Sequence, residues 1–237
     1  MSSAFPSSRR EPDRPDSGAA TSPREPGRSA KTAPPTRAPR QERGRRRIDE
    51  ILDAAAALIG EVGTEAVTVQ ALAARAKSSK GSMYHFFPDR ESVFVALADR
   101  HVEALLRVLA EAREERAHTI AAGTVDDAAE AFMRPMHGYV DRHPDLHRLL
   151  SEPATLARLA AQRAALHDAV EAHAAWIVRA RCPALADVRV RLAAAAMLAI
   201  LGAMRGDRVL AVAGGLPAAR AEARRLLAAY LRSYEEG

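Results

Sequence analysis

The chain of 237 residues has one cysteine, Cys182, which excludes an intrachain disulfide and fits a reducing compartment. Cys182 reads as a packing residue, not a reactive one. Lysine is nearly missing as well: Lys31, Lys77 and Lys80 stand against thirty-two arginines. No apolar h-region opens the sequence, so no secretory signal is expected and the expected location is cytoplasmic. The longest apolar run, residues 192–204, is thirteen residues between Arg191 and Arg205. A membrane span needs about twenty, so this run reads as a buried helix and no membrane partner is expected. Period-2 alternation is found nowhere, which leaves an all-α chain. Nucleophile–base pairs, glycine-rich phosphate loops and carboxylate motifs are also lacking, so neither catalysis nor a cofactor is expected. His143 and His147 have the i, i+4 spacing of zinc ligands. Pro144 follows the first of them and no third ligand is near, so a metal site is rejected.

What charge there is lies unevenly. The net +5 divides into +7 over residues 1–47 and −2 over residues 48–237. The first segment also holds eight of the fourteen prolines and almost nothing apolar after Phe5. Such a segment cannot bury enough surface to offset ordering entropy, so residues 1–43 are expected to be a disordered Pro/Arg-rich tail. Most of it reads as a solvated extension. For Arg40, Arg43, Arg45, Arg46 and Arg47, which abut the first helix, a phosphate or minor-groove role is favoured over simple solvation.

Residues 68–91 carry the most information. Val69, Leu72, Ala73 and Ala76 recur at i, i+3, i+4 and i+7, a buried stripe that starts after a capping Thr68. Ser79 can cap a second short helix with Met83 and Phe87 on its inner side. Phe86 lies between that side and Ser82. At ~100° per residue, Gly81 and His85 fall opposite, flanked by Ser82 and Tyr84. Two short helices, a tight turn and a small polar outer face describe a helix-turn-helix. The first-helix pattern before them, Arg47-Ile48 through Ile51-Leu52-Asp53-Ala54-Ala55 to Leu58-Ile59 and Gly63, completes a three-helix order ending in Tyr84-His85-Phe86-Phe87-Pro88.

Over roughly residues 44–104 the chain resembles the TetR-type (tetracycline-repressor-like) transcriptional regulators. The resemblance implies a DNA-binding head at 44–104, joined by a long helix to a helical effector-binding and dimerisation domain at 105–237. Where that family usually has Gly-Val in the turn, this chain has Lys77-Ser78. The Gly position favours a left-handed backbone, which costs another residue about 1 kcal/mol. On the reading face, Thr68 and Ser79 cap helices whose N–H groups can point at phosphate. Lys80 offers a point charge, Gly81 permits close backbone approach, and Ser82, Tyr84 and His85 present hydrogen-bonding groups to backbone and bases. Arg45, Arg46 and Arg47 complete the expected DNA contacts.

Beyond the head, helices are expected near 46–62, 69–76, 80–86, 90–117, 125–141, 145–151, 154–181, 185–212 and 217–235. Met133, Met136, His137 and Tyr139, with His173 and Trp176, are candidates to line an effector pocket. Each also reads as ordinary core, since soft residues at helical spacing usually pack. The 185–212 helix, apolar almost all round, and the 217–235 helix, with Leu226, Leu227, Tyr230 and Leu231, are expected to pair across a two-fold axis. The expected function is a homodimeric, ligand-responsive repressor acting on a near-palindromic DNA operator, its partners being that DNA, itself and an unidentified small molecule. An orphan regulator without an effector, or an interaction module or enzyme that has lost DNA binding, remains the alternative.

Overall fold

The structure, a computed structural model, describes residues 40–151, 153 and 155–235. Ten helices are found among them and no strand. The first, α1 (Arg40–Val62), begins six residues earlier than expected. The proposed tail lies outside the described residues up to 39, while its last four residues, 40–43, form the opening turn of α1. Ile51, Leu52, Ala55 and Ile59 of α1 are buried against α2 (Val69–Arg75), α3 (Lys80–Phe86) and the first half of α4 (Arg90–Ala122). Met83, Phe87, Val93, Phe94 and Leu97 close this small core.

At 33 residues, α4 is about 50 Å long at ~1.5 Å per residue. It outruns its expected end at 117 because its final carbonyls find a donor. Arg181 Nη1 donates to Ile120 O at 3.0 Å and Gly123 O at 2.5 Å, satisfying groups that a helix end otherwise leaves unpaired. Asp89 and Ser92 form a reciprocal capping box at its start.

The second half of α4 packs on α5 (Val125–Arg142) and α7 (Ala160–Arg181). Helix α7 packs on α8 (Asp187–Met204), and α10 (Leu216–Glu235) on α5 and α8. Phe132, Ile177, Met197 and Leu227 are fully buried in this larger core. Two expected helices are shorter. Residues 155–159 form turns, so α7 starts at Ala160 instead of 154. The 185–212 helix breaks after α8 at Arg205–Gly206, where Gly206 turns extended and starts α9 (Asp207–Ala213). Weak helix propensity at Gly202 and Gly206 makes that break inexpensive.

The two cores share more than α4. Helix α6 (Pro144–Ser151) packs on α1, and Leu149, with Leu159 from the turn before α7, belongs to the small core. Arg148 Nη1 donates to Ile59 O at 3.3 Å. The head therefore rests on a helix from beyond the expected boundary at 104.

Candidate nucleic-acid interface and ligand cavity

The helix-turn-helix is held by local hydrogen bonds that its sequence specifies. Thr68 Oγ1 accepts from Ala71 N at 3.1 Å, and Ser79 Oγ from Ser82 N at 3.1 Å, so both residues cap as expected. Helix α2 ends in a Schellman arrangement: Ser78 N donates to Ala73 O at 2.8 Å and Lys77 N to Ala74 O at 3.2 Å. This requires a left-handed residue between them, and Lys77 takes it with φ 49°, the one non-glycine with positive φ among the described residues. Ser78 is half-buried and adds only a long 3.5 Å bond to Ser79 O.

Helix α3 has two unlike sides. Met83 and Phe87 are buried in the head core, and Phe86 packs partly against it. Lys80, Gly81, Tyr84 and His85 are exposed and Ser82 is half-exposed. Tyr84 exposes 54% of its surface, so it does not plug the core. A Cβ built on Gly81 would meet open space, so the helix surface there is free to approach a partner closely. The reading face is thus a low ridge with a phenol, an imidazole and one ammonium at its rim.

The arginine arm divides by residue. Arg43 and Arg45 are exposed and make no ion pair among the described residues. Arg46 pairs with Glu42 on the same exposed face. Arg47 is half-buried and turned inward, donating to Glu50 at 2.6 Å and to Ala76 O at 3.3 Å. Through Nη1 it ties α1 to the C-terminal end of α2, with 35% of the side chain still exposed.

A cavity of about 680 Å³ lies between α5, α6, α7 and α8, in the size range of small-molecule sites. Met136, His137 and Tyr139 line it, three of the six residues that the sequence put forward. Leu146, Leu166, Val170, Leu198 and Leu201 supply apolar walls. Arg163, His147, His167 and Arg205 supply polar ones, of which the sequence had weighed only His147, and that for a metal site. Burial, then the charges of Arg220 and Arg205, push His137 down to about 4, so it is neutral at pH 7. Burial also lowers His147.

Met133, His173 and Trp176 do not line this cavity. Met133 is core. His173 is fully buried between the rings of Phe132 and Trp176 and has a structural task. Pro135 lies inside α5 and has no N–H, which orphans the carbonyl four residues earlier. That carbonyl is Ala131 O, and His173 Nε2 donates to it at 3.3 Å while Nδ1 accepts from Arg113 Nε at 3.4 Å. The ring is a neutral tautomer filling the gap made by the proline, and burial pushes its pKa down to about 4.

Tyr139 leads from the cavity toward the head. Its hydroxyl lies 2.8 Å from His101 Nδ1 on α4, and His101 Nε2 lies 2.8 Å from Asp145 Oδ2 at the start of α6. All three side chains are buried. His143 packs its ring on Tyr139 at 4.3 Å. Among the described residues no cluster of ligating side chains is arranged to hold a metal ion. The sequence carried a sign of this network: His101 stands on the apolar stripe Leu97, Leu105, Leu109, where a polar residue needs partners.

Two family models match the chain. The model described as bacterial regulatory proteins, tetR family, covers residues 51–97, and the tetracyclin repressor-like C-terminal domain covers residues 124–231. Among curated proteins, the chain is similar to the HTH-type transcriptional repressor KstR of Mycolicibacterium smegmatis, 31% identical over 116 residues, 49% of this chain and 52% of that protein. It is also similar to the HTH-type transcriptional repressor AcnR of Corynebacterium diphtheriae, 37% identical over 65 residues, 27% of this chain and 34% of that protein. The chain therefore spans about a third to a half of the length of these relatives. A TetR-family transcriptional regulator from Streptomyces coelicolor has the same fold, with TM-score 0.50 and 26% identity over 79% of this chain and 98% of that one.

Proposed function

Because the chain belongs to the TetR family of bacterial regulatory proteins, we propose that it is a DNA-binding repressor that works as a homodimer and responds to a small molecule. The observation that carries this reading is the division of α3. Lys80, Gly81, Ser82, Tyr84 and His85 stand outward on a helix that Met83 and Phe87 anchor in the head core. An outward ridge on a capped helix fixed in the core is what major-groove docking requires. Arg43 and Arg45 add charge for phosphate.

Dimerisation is supported by an uncovered stripe on α8. Val188 and Leu192 expose 63% and 60% of their surface, and Leu226 on α10 exposes 40%. A two-fold copy would cover these faces as a four-helix bundle. Response to a ligand is supported by the 680 Å³ cavity and by the route from it to the head. A molecule that repositions Tyr139 acts on His101 in α4 and Asp145 in α6, and α6 bears directly on α1. Ligand binding then shifts the population between DNA-competent and incompetent head spacings. A mobility-shift titration with DNA flanking the chain's own gene tests the reading: a discrete, competitor-resistant complex is expected, and binding no tighter than to unrelated DNA refutes it.

A further inference from the structure

The charged wall of the cavity points to the chemical class of its occupant. Among the described residues, no carboxylate lines either the main cavity or an adjoining one of about 330 Å³. His137, Val140, His147, Leu201 and Arg205 line both, so the two spaces meet there. At that meeting point positive charge is left over. Arg205, the residue ending α8, makes no ion pair or hydrogen bond through its side chain among the described residues. Arg220 on α10 gives its two Nη groups to Asp141 at 2.7 and 2.6 Å, but its buried Nε has no acceptor. Asp141 is thus taken up by Arg220, and the Arg205 guanidinium has no carboxylate of its own among the described residues.

The local electrostatics agree. Arg205 is exposed as a residue, yet desolvation of its guanidinium and then the Arg220 charge lower its pKa. The same two cations reinforce the desolvation that keeps His137 uncharged. An acceptor-bearing anion placed there would take the idle donors of Arg205 and relieve the repulsion between the two guanidinium groups. From this locus, Leu146, Leu150, Leu166, Val170 and Leu198 line the main cavity with apolar surface that suits a tail, and Arg163, the other arginine on its wall, already donates to Leu150 O.

We propose that the effector is an amphipathic monoanion, an apolar body with one carboxylate head, whose head sits between Arg205 and Arg220 and whose body fills the main cavity. This deepens the ligand-responsive reading and rests on it. Titration calorimetry of the full chain with dodecanoate and with dodecylamine, two tails of equal length and opposite charge, tests it without DNA. Dodecanoate should bind at least about tenfold more tightly than dodecylamine. Arg205→Gln should weaken dodecanoate by about 10- to 100-fold, the range a charge-assisted hydrogen bond supplies, and leave dodecylamine unweakened. Equal binding of the two tails, no binding of dodecanoate, or an Arg205→Gln variant of unchanged preference would overturn the proposal. Since no DNA is present, a failed operator assay and a failed tail titration are separate results.

Discussion

Single residues set the strain and the pH response of this protein. Lys77 sits at φ 49° because the Schellman end of α2 needs a left-handed residue, and nothing on its own side chain compensates. Lys77→Gly should therefore raise stability by up to about 1 kcal/mol in urea denaturation. A fall in stability would show that the lysine is held by something else. His173 gives the pH response. Its folded pKa, about 4, lies below the ordinary 6.5, so the unfolded chain takes up a proton first as pH falls. Its contribution is complete above about pH 6.5 and declines until about pH 4, a loss of about 2 kcal/mol by pH 5. Protonation would put a second N–H on Nδ1, facing the Arg113 guanidinium that now donates to it. His173→Gln should make the decline between pH 7.5 and 5 shallower, with His137, His143 and His147, which burial also lowers, contributing to what remains. An unchanged slope would mean that His173 does not titrate as buried. That it falls in line with Leu166, Val170 and Ile177 at helical spacing is readable from sequence. Its task is not, because the orphaned Ala131 carbonyl appears only once α5 runs through Pro135 and α7 lies beside it.

At the scale of elements, the head was the most legible part. Capping at Thr68 and Ser79 and the inner and outer sides of α3 follow from spacing within ten residues, and all are present. What spacing could not give was the contact of Arg47 with Ala76, twenty-nine positions along the chain, or the break at Arg205–Gly206. Equally hidden was the docking of α6 on α1, since it depends on how separate helices stack. The arm is the place to test this. Arg43→Ala and Arg45→Ala together should weaken binding to all DNA and flatten the salt dependence by about 0.9 for each phosphate no longer neutralised. Arg47→Ala should instead cost about 1 kcal/mol of stability through its bond to the turn. If Arg47→Ala changes the salt slope and leaves stability alone, the roles within the arm are reversed.

For the whole molecule, assembly and reading are coupled. The uncovered stripe of Val188, Leu192 and Leu226 predicts a dimer at micromolar concentration in sedimentation, and Leu192→Glu should shift it to monomer and abolish operator binding. A wild-type monomer at that concentration would contradict the account. A two-fold dimer carries two α3 helices, so its operator should be a near-palindrome with half-sites about one helical turn apart or a multiple of it. The cavity was only half readable from sequence: Met136, His137 and Tyr139 share one helix with the pattern seen there, whereas Arg163 and Arg205 come from the ends of two others.

The central claim, that the outer side of α3 reads DNA, is tested most directly by measuring operator affinity and thermal stability on the same samples of three proteins. These are the wild type, Tyr84→Ala/His85→Ala, and Phe87→Ala. Exposed Tyr84 and His85 should be removable at little cost to stability, within about 0.5 kcal/mol each, with loss of specific binding. Phe87, 8% exposed in the head core, should cost about 3–5 kcal/mol and lose binding by unfolding the head. Operator affinity unchanged in the folded Tyr84→Ala/His85→Ala variant would contradict the account, because the ridge would then not touch the bases.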